Sequence, residues 1–412
     1  METWKKIRLG DACKINTESY STKEKWGFVN YLDTGNITNN TIDSIKFINL
    51  KNMKLPSRAK RKVRTDSIIY STVRPNQRYF GIIKSQPENF LVSTGFAVID
   101  VDTNILNADF LYYLLTQNTF VDNLHTVAEQ STSAYPAIKP SDIENLEIEI
   151  PDLATQKKIA CILSSLDRKM VKNTEINKNL LQQIQILCRS WLVDYAPFGY
   201  EKPATWSVVP LSSIADFISG YSYKGAELVE SDIAMATIKN FDRKGGFKLD
   251  GYKEVQPSAK LKPEQHAELF DTLVAHTDLT QNAEIIGNAE PVLSLSGYKD
   301  LVFSMDVVKV LPKEGISKFL LAALLQDGRF KAHAMGYVNG TTVLHLSKKA
   351  LPEFELPLPS DLGELAPLAD TVESMYRQIA NNIDESTQLA KLRDSLLPRL
   401  MSGELDVSDI EL

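Results

Sequence analysis

Apolar or small polar residues recur at alternating steps of four and three in two long stretches of the chain. The first runs Ile159, Leu163, Leu166, Met170, Asn173, Asn177, Leu180, Ile184, Leu187 and Trp191. Adding 209 reproduces it as Leu368, Val372, Met375, Ile379, Asn382, Ser386, Leu389, Arg393, Leu396 and Leu400. This alternation is a heptad seam, so each stretch predicts a long helix paired along one stripe. No proline interrupts either stretch before Pro398. A helix of that length extends about 57 Å at roughly 1.5 Å per residue. Arg393 breaks the apolar pattern, and the adjacent Leu392 is expected to take its place. Asn173 and Asn382 sit near the middles of the two stretches. If the helices run antiparallel, the middles meet. Either the two asparagines pair and set the register at some cost in stability, or they are solvated and the seam is loose there.

The remainder reads as mixed α/β. Short runs of β-formers bounded by turn residues include Ser67–Ser71, Phe96–Val101, Thr272–Ala275 and Val307–Val310. They belong to a duplication. Trp4-Lys5-Lys6-Ile7-Arg8-Leu9 is matched by Trp206-Ser207-Val208-Val209-Pro210-Leu211, and Phe110–Leu115 by Phe319–Leu324. Ser131-Thr132-Ser133 precedes a segment ending at Pro151, as Gly340-Thr341-Thr342 precedes one ending at Pro359. The expected order is a globular domain over 1–152, a helix over 153–196, a second globular domain over 197–360, and a second helix with an acidic tail over 361–412.

Composition adds boundaries. The 412 residues are 43% hydrophobic and 24% charged, with no run of apolar residues long enough to span a membrane. Met1–Lys6 leads into no apolar segment of a secretory signal. Cys13, Cys161 and Cys188 are few and far apart, which predicts no disulfide framework and a cytoplasmic protein. The net charge of −6 is unevenly spread: residues 46–84 hold 11 Lys and Arg against the single acid Asp66, whereas residues 361–412 hold 4 against 11. A local basic field binds phosphate whatever the total charge.

Catalytic patterns are scarce. There is no phosphate-binding Gly-x4-Gly-Lys-Ser/Thr loop, no Gly-x-Gly-x-x-Gly and no Asn/Asp-Pro-Pro-Tyr tetrapeptide. The five histidines are dispersed, with no second His or Cys at metal-ligand spacing, so no metal is expected. Asp152, Asp167 and Lys169 fit a loose Mg²⁺-nuclease pattern, in which two carboxylates hold the ion beside a lysine. Asp167 and Lys169 fall inside the heptad stretch, however, and Asp152 reads as a helix cap.

The basic island suits nucleic acid better. Lys60, Arg61, Lys62 and Arg64 are phosphate-neutralising residues. Thr72, Arg74, Asn76, Gln77, Arg78 and Tyr79 mix types able to grip guanine and adenine edges beside a proline-held turn. A solvated charged loop is the plainer reading. In the second half, His276, Thr277, Asp278, Thr280 and Gln281 follow their strand as Thr72–Arg74 follow theirs. Lys239, Arg243 and Lys244 supply a further basic patch.

These features together resemble the specificity (S) subunit of type I restriction-modification systems. Thr72-Val73-Arg74-Pro75-Asn76, Ala275–Gln281, Arg189-Ser190-Trp191-Leu192-Val193-Asp194-Tyr195 and the C-terminal Leu392–Leu405 carry the likeness. The resemblance implies two target-recognition domains, each reading one half of a split site in double-stranded DNA. It implies two antiparallel helices that space the half-sites and dock partner subunits. Methyltransferase (M) subunits would use S-adenosylmethionine, and restriction (R) subunits ATP and Mg²⁺. The chain itself would bind no cofactor and catalyse nothing. The competing readings are the Mg²⁺ nuclease and a coiled-coil assembly scaffold that does not touch DNA.

Overall fold

A computed structural model describes residues 4–130 and 136–410; the Ser131-Thr132-Ser133 motif lies outside them. The chain divides into unit 1, Met1–Arg168 with Leu389–Leu412, and unit 2, Lys169–Gln388.

In unit 1 one antiparallel sheet runs Cys13–Ile15, Phe96–Val101, Ile68–Ser71, Phe80–Ile82. Its central strands are buried at every residue, which is why they read as continuous apolar runs rather than alternating ones. A second sheet runs Lys46–Asn49, Phe28–Leu32, Phe90–Ser93, Ala59–Arg61, with Phe28–Leu32 parallel to Phe90–Ser93. Lys5–Arg8 pairs antiparallel with Glu147–Ile150. Three helices follow the sheets: α1 (Ala108–Thr116), α2 (Asn118–Glu129) and α3 (Pro140–Glu144). The Asn107 side chain caps α1 by accepting from the Phe110 amide at 3.0 Å.

The long helix α4 (Leu153–Leu192) begins at Asp152, whose Oδ1 accepts the amides of Ala154 at 2.7 Å and Thr155 at 2.9 Å. It stops before Tyr195, which turns left-handed (φ 51°) ahead of the Ala196-Pro197 pair that cannot continue a helix. Unit 2 then repeats the scheme of unit 1. Its first sheet runs Ala215–Ser219, Val307–Pro312, Thr272–Ala275, Ala289–Pro291, again antiparallel throughout. Its second runs Lys253–Glu254, Ile233–Ala236, Asp300–Phe303, again with one parallel pair, Ile233–Ala236 with Asp300–Phe303. Trp206–Pro210 pairs with Glu355–Pro359 as Lys5–Arg8 does with Glu147–Ile150. Helices α5 (Lys318–Leu325) and α6 (Gly328–Met335) stand where α1 and α2 stand, and Ser317 caps α5 as Asn107 caps α1. The chain ends in α7 (Ala366–Met401).

Within each unit, segments of α4 and α7 run antiparallel. In unit 1 Asp167 meets Arg393 at 2.8 Å and Lys158 meets the Ser408 carbonyl at 2.5 Å. In unit 2 Lys169 meets Glu385 at 3.1 Å and Asn177 accepts from Asn382 at 2.7 Å. Every seam position is buried or half-buried. Asn173, 1% exposed, donates to the Asn382 carbonyl at 3.3 Å, to Glu385 at 2.8 Å and to Ser386 Oγ at 3.1 Å.

One expectation fails. Leu392 does not replace Arg393 in the seam: it is 47% exposed, and Arg393 occupies the position itself. A cation is tolerated there because Asp167 faces it, and Asp167 in turn accepts the Tyr113 hydroxyl of α1 at 2.5 Å.

Candidate nucleic-acid interface

The basic island of unit 1 is built around the turn that leaves the Ile68–Ser71 strand. Ser71 Oγ accepts the Val73 amide at 3.2 Å and starts the turn. Arg74 and Arg78 are both left-handed (φ 49° and 55°) and bracket the Pro75–Gln77 turn, whose proline is buried. This backbone costs roughly 1 kcal/mol or more per non-glycine residue, so the surroundings must hold it. They do: Arg74 N donates to the Pro136 carbonyl at 2.9 Å, and Ile138 N to the Thr72 carbonyl at 2.8 Å. The result is an anchored platform on which Arg74, Asn76 and Gln77 are exposed.

Two neighbouring segments are hydrogen-bonded to this turn, and a third is joined through one of them. Thr72 N and Oγ1 both donate to Gly95 O, at 2.8 and 3.0 Å. Thr94 N donates to Arg58 O at 2.8 Å, and Asn39 N to Arg78 O at 3.0 Å. Thr72–Arg78 therefore shares one surface with Thr38–Asn40, Arg58–Lys60 and the Thr94–Gly95 turn. Asn39 and Asn40 were not singled out from the sequence as site residues. Asn39-Asn40 signals only a turn, which both satisfy with left-handed backbone (φ 45° and 65°), and nothing local shows that it folds against Arg78.

The remaining island residues divide. Lys60 is exposed. Lys62 is bound to Glu24 at 2.5 Å and lies 5.3 Å from the centre of the Trp26 ring. Arg64 meets the buried Asp100 at 3.2 Å but stays 61% exposed along its side chain. Arg61 and Tyr79 are half-buried, and burial holds the Arg61 guanidinium below its ordinary value. Arg78 is drawn into the fold: it donates to the Thr116 carbonyl at 3.2 Å and to Asn118 Oδ1, closing the C-terminal end of α1.

Unit 2 places the corresponding strand exit differently. Thr277 and Asp278 are 4% and 2% exposed, so the expectation that they face DNA is corrected. Thr277–Asp278 forms a strand with Leu344–Leu346, the partner matching the Val73–Ala137 bridge of unit 1. The Asp278 carboxylate accepts from Thr280 N (2.7 Å), Thr280 Oγ1 (2.8 Å) and Ile285 N (2.9 Å). Burial opposes its charge, but these donors outweigh that and hold the carboxyl below its ordinary value. Thr280 is half-buried by the same clasp. His276 is half-buried and held below its usual value by burial, then by His345 and Lys348. Gln281 is exposed and donates to the Thr341 carbonyl at 3.2 Å.

Lys239, Arg243 and Lys244 are exposed. Lys239 lies on the Ile238–Asn240 turn capped by Thr237, which corresponds to the Thr34–Asn36 turn capped by Asp33 in unit 1. Arg243 pairs with Glu284 at 3.2 Å, and the Asp242 carbonyl accepts from Asn288 at 3.0 Å. The basic loop is thus joined to the segment that follows His276–Gln281. Both units gather the exit of the same strand and the loop after the parallel strand into one surface, with different side chains on it.

The three residues of the nuclease pattern are each engaged otherwise: Asp152 as a helix cap, Asp167 with Arg393 and Tyr113, Lys169 with Glu385. Among the described residues, no group of three His, Cys, Asp or Glu is placed to hold a metal ion. Nor is any described helix long and apolar enough to cross a membrane.

The family profile described as type I restriction modification DNA specificity domain matches residues 1–185. The specificity subunit of type I restriction enzyme HindI from Haemophilus influenzae is 26% identical to this chain, and the match covers 98% of this chain and 100% of that one. Over nearly its whole length the chain is similar to type I restriction-modification specificity subunits. A second such subunit, that of MjaIX from Methanocaldococcus jannaschii, is 23% identical over 98% of this chain and 94% of its own length. The fold of this chain is shared by the crystal structure of the type I restriction-modification S subunit from M. genitalium, with TM-score 0.57 and 16% identity over 97% and 96% of the two chains.

Proposed function

We propose that this chain is the sequence-reading, non-catalytic subunit of a type I restriction-modification assembly, acting in the cytoplasm on double-stranded DNA. Residues 1–152 and 197–360 serve as its two target-recognition domains, each reading one half of a bipartite site. Methyltransferase subunits, using S-adenosylmethionine, and restriction subunits, using ATP and Mg²⁺, dock on it and supply the chemistry. Asn173 and Asn382 set the register of the helix pair.

The observation that carries the reading is the duplicated strand order, which offers an exposed Arg74, Asn76 and Gln77 at the strand exit of unit 1, and in unit 2 Gln281 at the matching exit with Lys239 and Lys244 in the loop after the parallel strand. Matching frames with different polar side chains are what two different half-sites require. Arg and Lys neutralise phosphates, and Arg, Asn and Gln match purine edges in the major groove. Arg74→Ala and Lys60→Ala in the complex with methyltransferase subunits are expected to weaken duplex binding. A lost phosphate contact also lowers the slope of log affinity against log salt by about one. Unchanged affinity and slope in both variants would leave the coiled-coil scaffold as the better reading.

A further inference from the structure

Beside the basic platform of unit 1 lies a patch that the platform does not explain. Ile42, Ile45 and Phe47 are 39%, 38% and 59% exposed within six residues of chain. Phe47 is not loose: its ring stacks on Phe28 with centroids 5.4 Å apart and planes at 26°. It sits on the edge strand Lys46–Asn49, opposite Asn30. The solvent face of a sheet normally carries polar side chains, so an exposed Phe47 stacked on a half-buried Phe28 there marks a contact surface.

Two observations say what covers it. The patch is continuous with the candidate DNA face: Ile42 pairs with Ile37, Asp43 N donates to the Asn36 carbonyl at 2.9 Å, and Lys46 lies opposite Tyr31 at the loop end of the sheet. The same segment of chain carries exposed cations, Lys46, Lys51, Lys54 and Arg58, with Asp43 the one acid between Ile42 and Arg58. Exposed apolar side chains on a cation-rich segment suit a polyanion whose interior is apolar and stacked. The matching strand of unit 2 is Lys253–Glu254, which carries no aromatic residue.

We propose that Phe47, backed by Phe28 and flanked by Ile45, is an apolar wedge that presses on a base step beside the half-site of unit 1 and partly unstacks it. This rests on the DNA-reading function above. The wedge contributes contact and deformation, not charge neutralisation.

The test uses the full chain assembled with its methyltransferase subunits and a duplex bearing the motif it directs, with 2-aminopurine placed at successive steps. The wild-type complex is expected to raise fluorescence at one step. Phe47→Ala abolishes that rise and weakens binding about tenfold, with the salt slope unchanged. Phe47→Leu retains part of both. Selective wild-type binding together with a Phe47→Ala variant of unaltered affinity and fluorescence overturns the wedge alone. A Phe47→Ala chain that loses its methyltransferase subunits, while whatever assembles binds DNA normally, also overturns it, because the patch then docks protein. A wild-type complex with no preference for the duplex over random DNA overturns the reading itself.

Discussion

Asp167→Ala provides a sharp test of the packing logic of unit 1. Asp167 Oδ1 accepts from Arg393 at 2.8 Å and Oδ2 from Tyr113 at 2.5 Å, and the Asp167 and Arg393 side chains are only 28% and 29% exposed. Burial, and then Asp167 itself, push the Tyr113 hydroxyl far above its usual range, so it remains a donor throughout the working pH range. Removing the carboxylate leaves Tyr113 and one side of the guanidinium without their acceptor, although Arg393 keeps Asp394 at 2.7 Å. A fully exposed pair is worth under about 1 kcal/mol and breaking a fully buried one costs about 3–5 kcal/mol. Exposure near three-tenths places this change at about 2 kcal/mol. Hydrogen exchange in the α1 and terminal α7 peptides should then accelerate about 30-fold, since each 1.36 kcal/mol is about a factor of ten. The double variant Asp167→Leu with Arg393→Leu should recover most of the loss, because packed leucines replace an ion pair well. Protection unchanged by Asp167→Ala, or a double variant as unprotected as the sum of the single ones, would refute this account of the seam.

Two further predictions concern residues at the candidate surfaces. Arg78→Ala should destabilise the fold by about 1 kcal/mol by opening the end of α1, and lower affinity without the reduced salt slope expected of Arg74→Ala; thermal denaturation and salt titration separate the two. Glu290, 6% exposed, accepts from Gly246 N and Gln326 Nε2, both at 2.7 Å. Burial pushes its carboxyl up from 4.5 to about 7 against those two donors, with Asp242 adding to the rise. Because the folded value lies above the unfolded one, the stability tied to this group is complete below about pH 4.5 and lost as pH rises through about 7. Glu290→Gln should therefore gain on the wild type in melting temperature as pH rises from 5 to 8, and a pH-independent difference would contradict the assignment.

The long helices were legible because a heptad seam depends only on local periodicity, and the duplication because the strands of both copies kept their apolar runs. What failed depended on distant partners. Arg393 looked like a flaw in the seam, since nothing in its neighbourhood announces that Asp167 and Tyr113 converge on it. Thr277 and Asp278 looked like readers because polar loop residues usually face water, yet the Ile285 amide and the Leu344–Leu346 strand draw them inward. The parallel pairing of Phe28–Leu32 with Phe90–Ser93, which brings Arg58, Thr94 and Thr72 to one surface, joins residues about sixty apart and leaves no local trace.

The central claim is that this chain decides which DNA sequence its assembly marks. Mapping methylated adenines across the host genome with the chain present and deleted tests it most directly. The account predicts a split, asymmetric motif methylated only when the chain is present, with one half lost or relaxed in Arg74→Ala. A methylation map that is the same with and without the chain would contradict it.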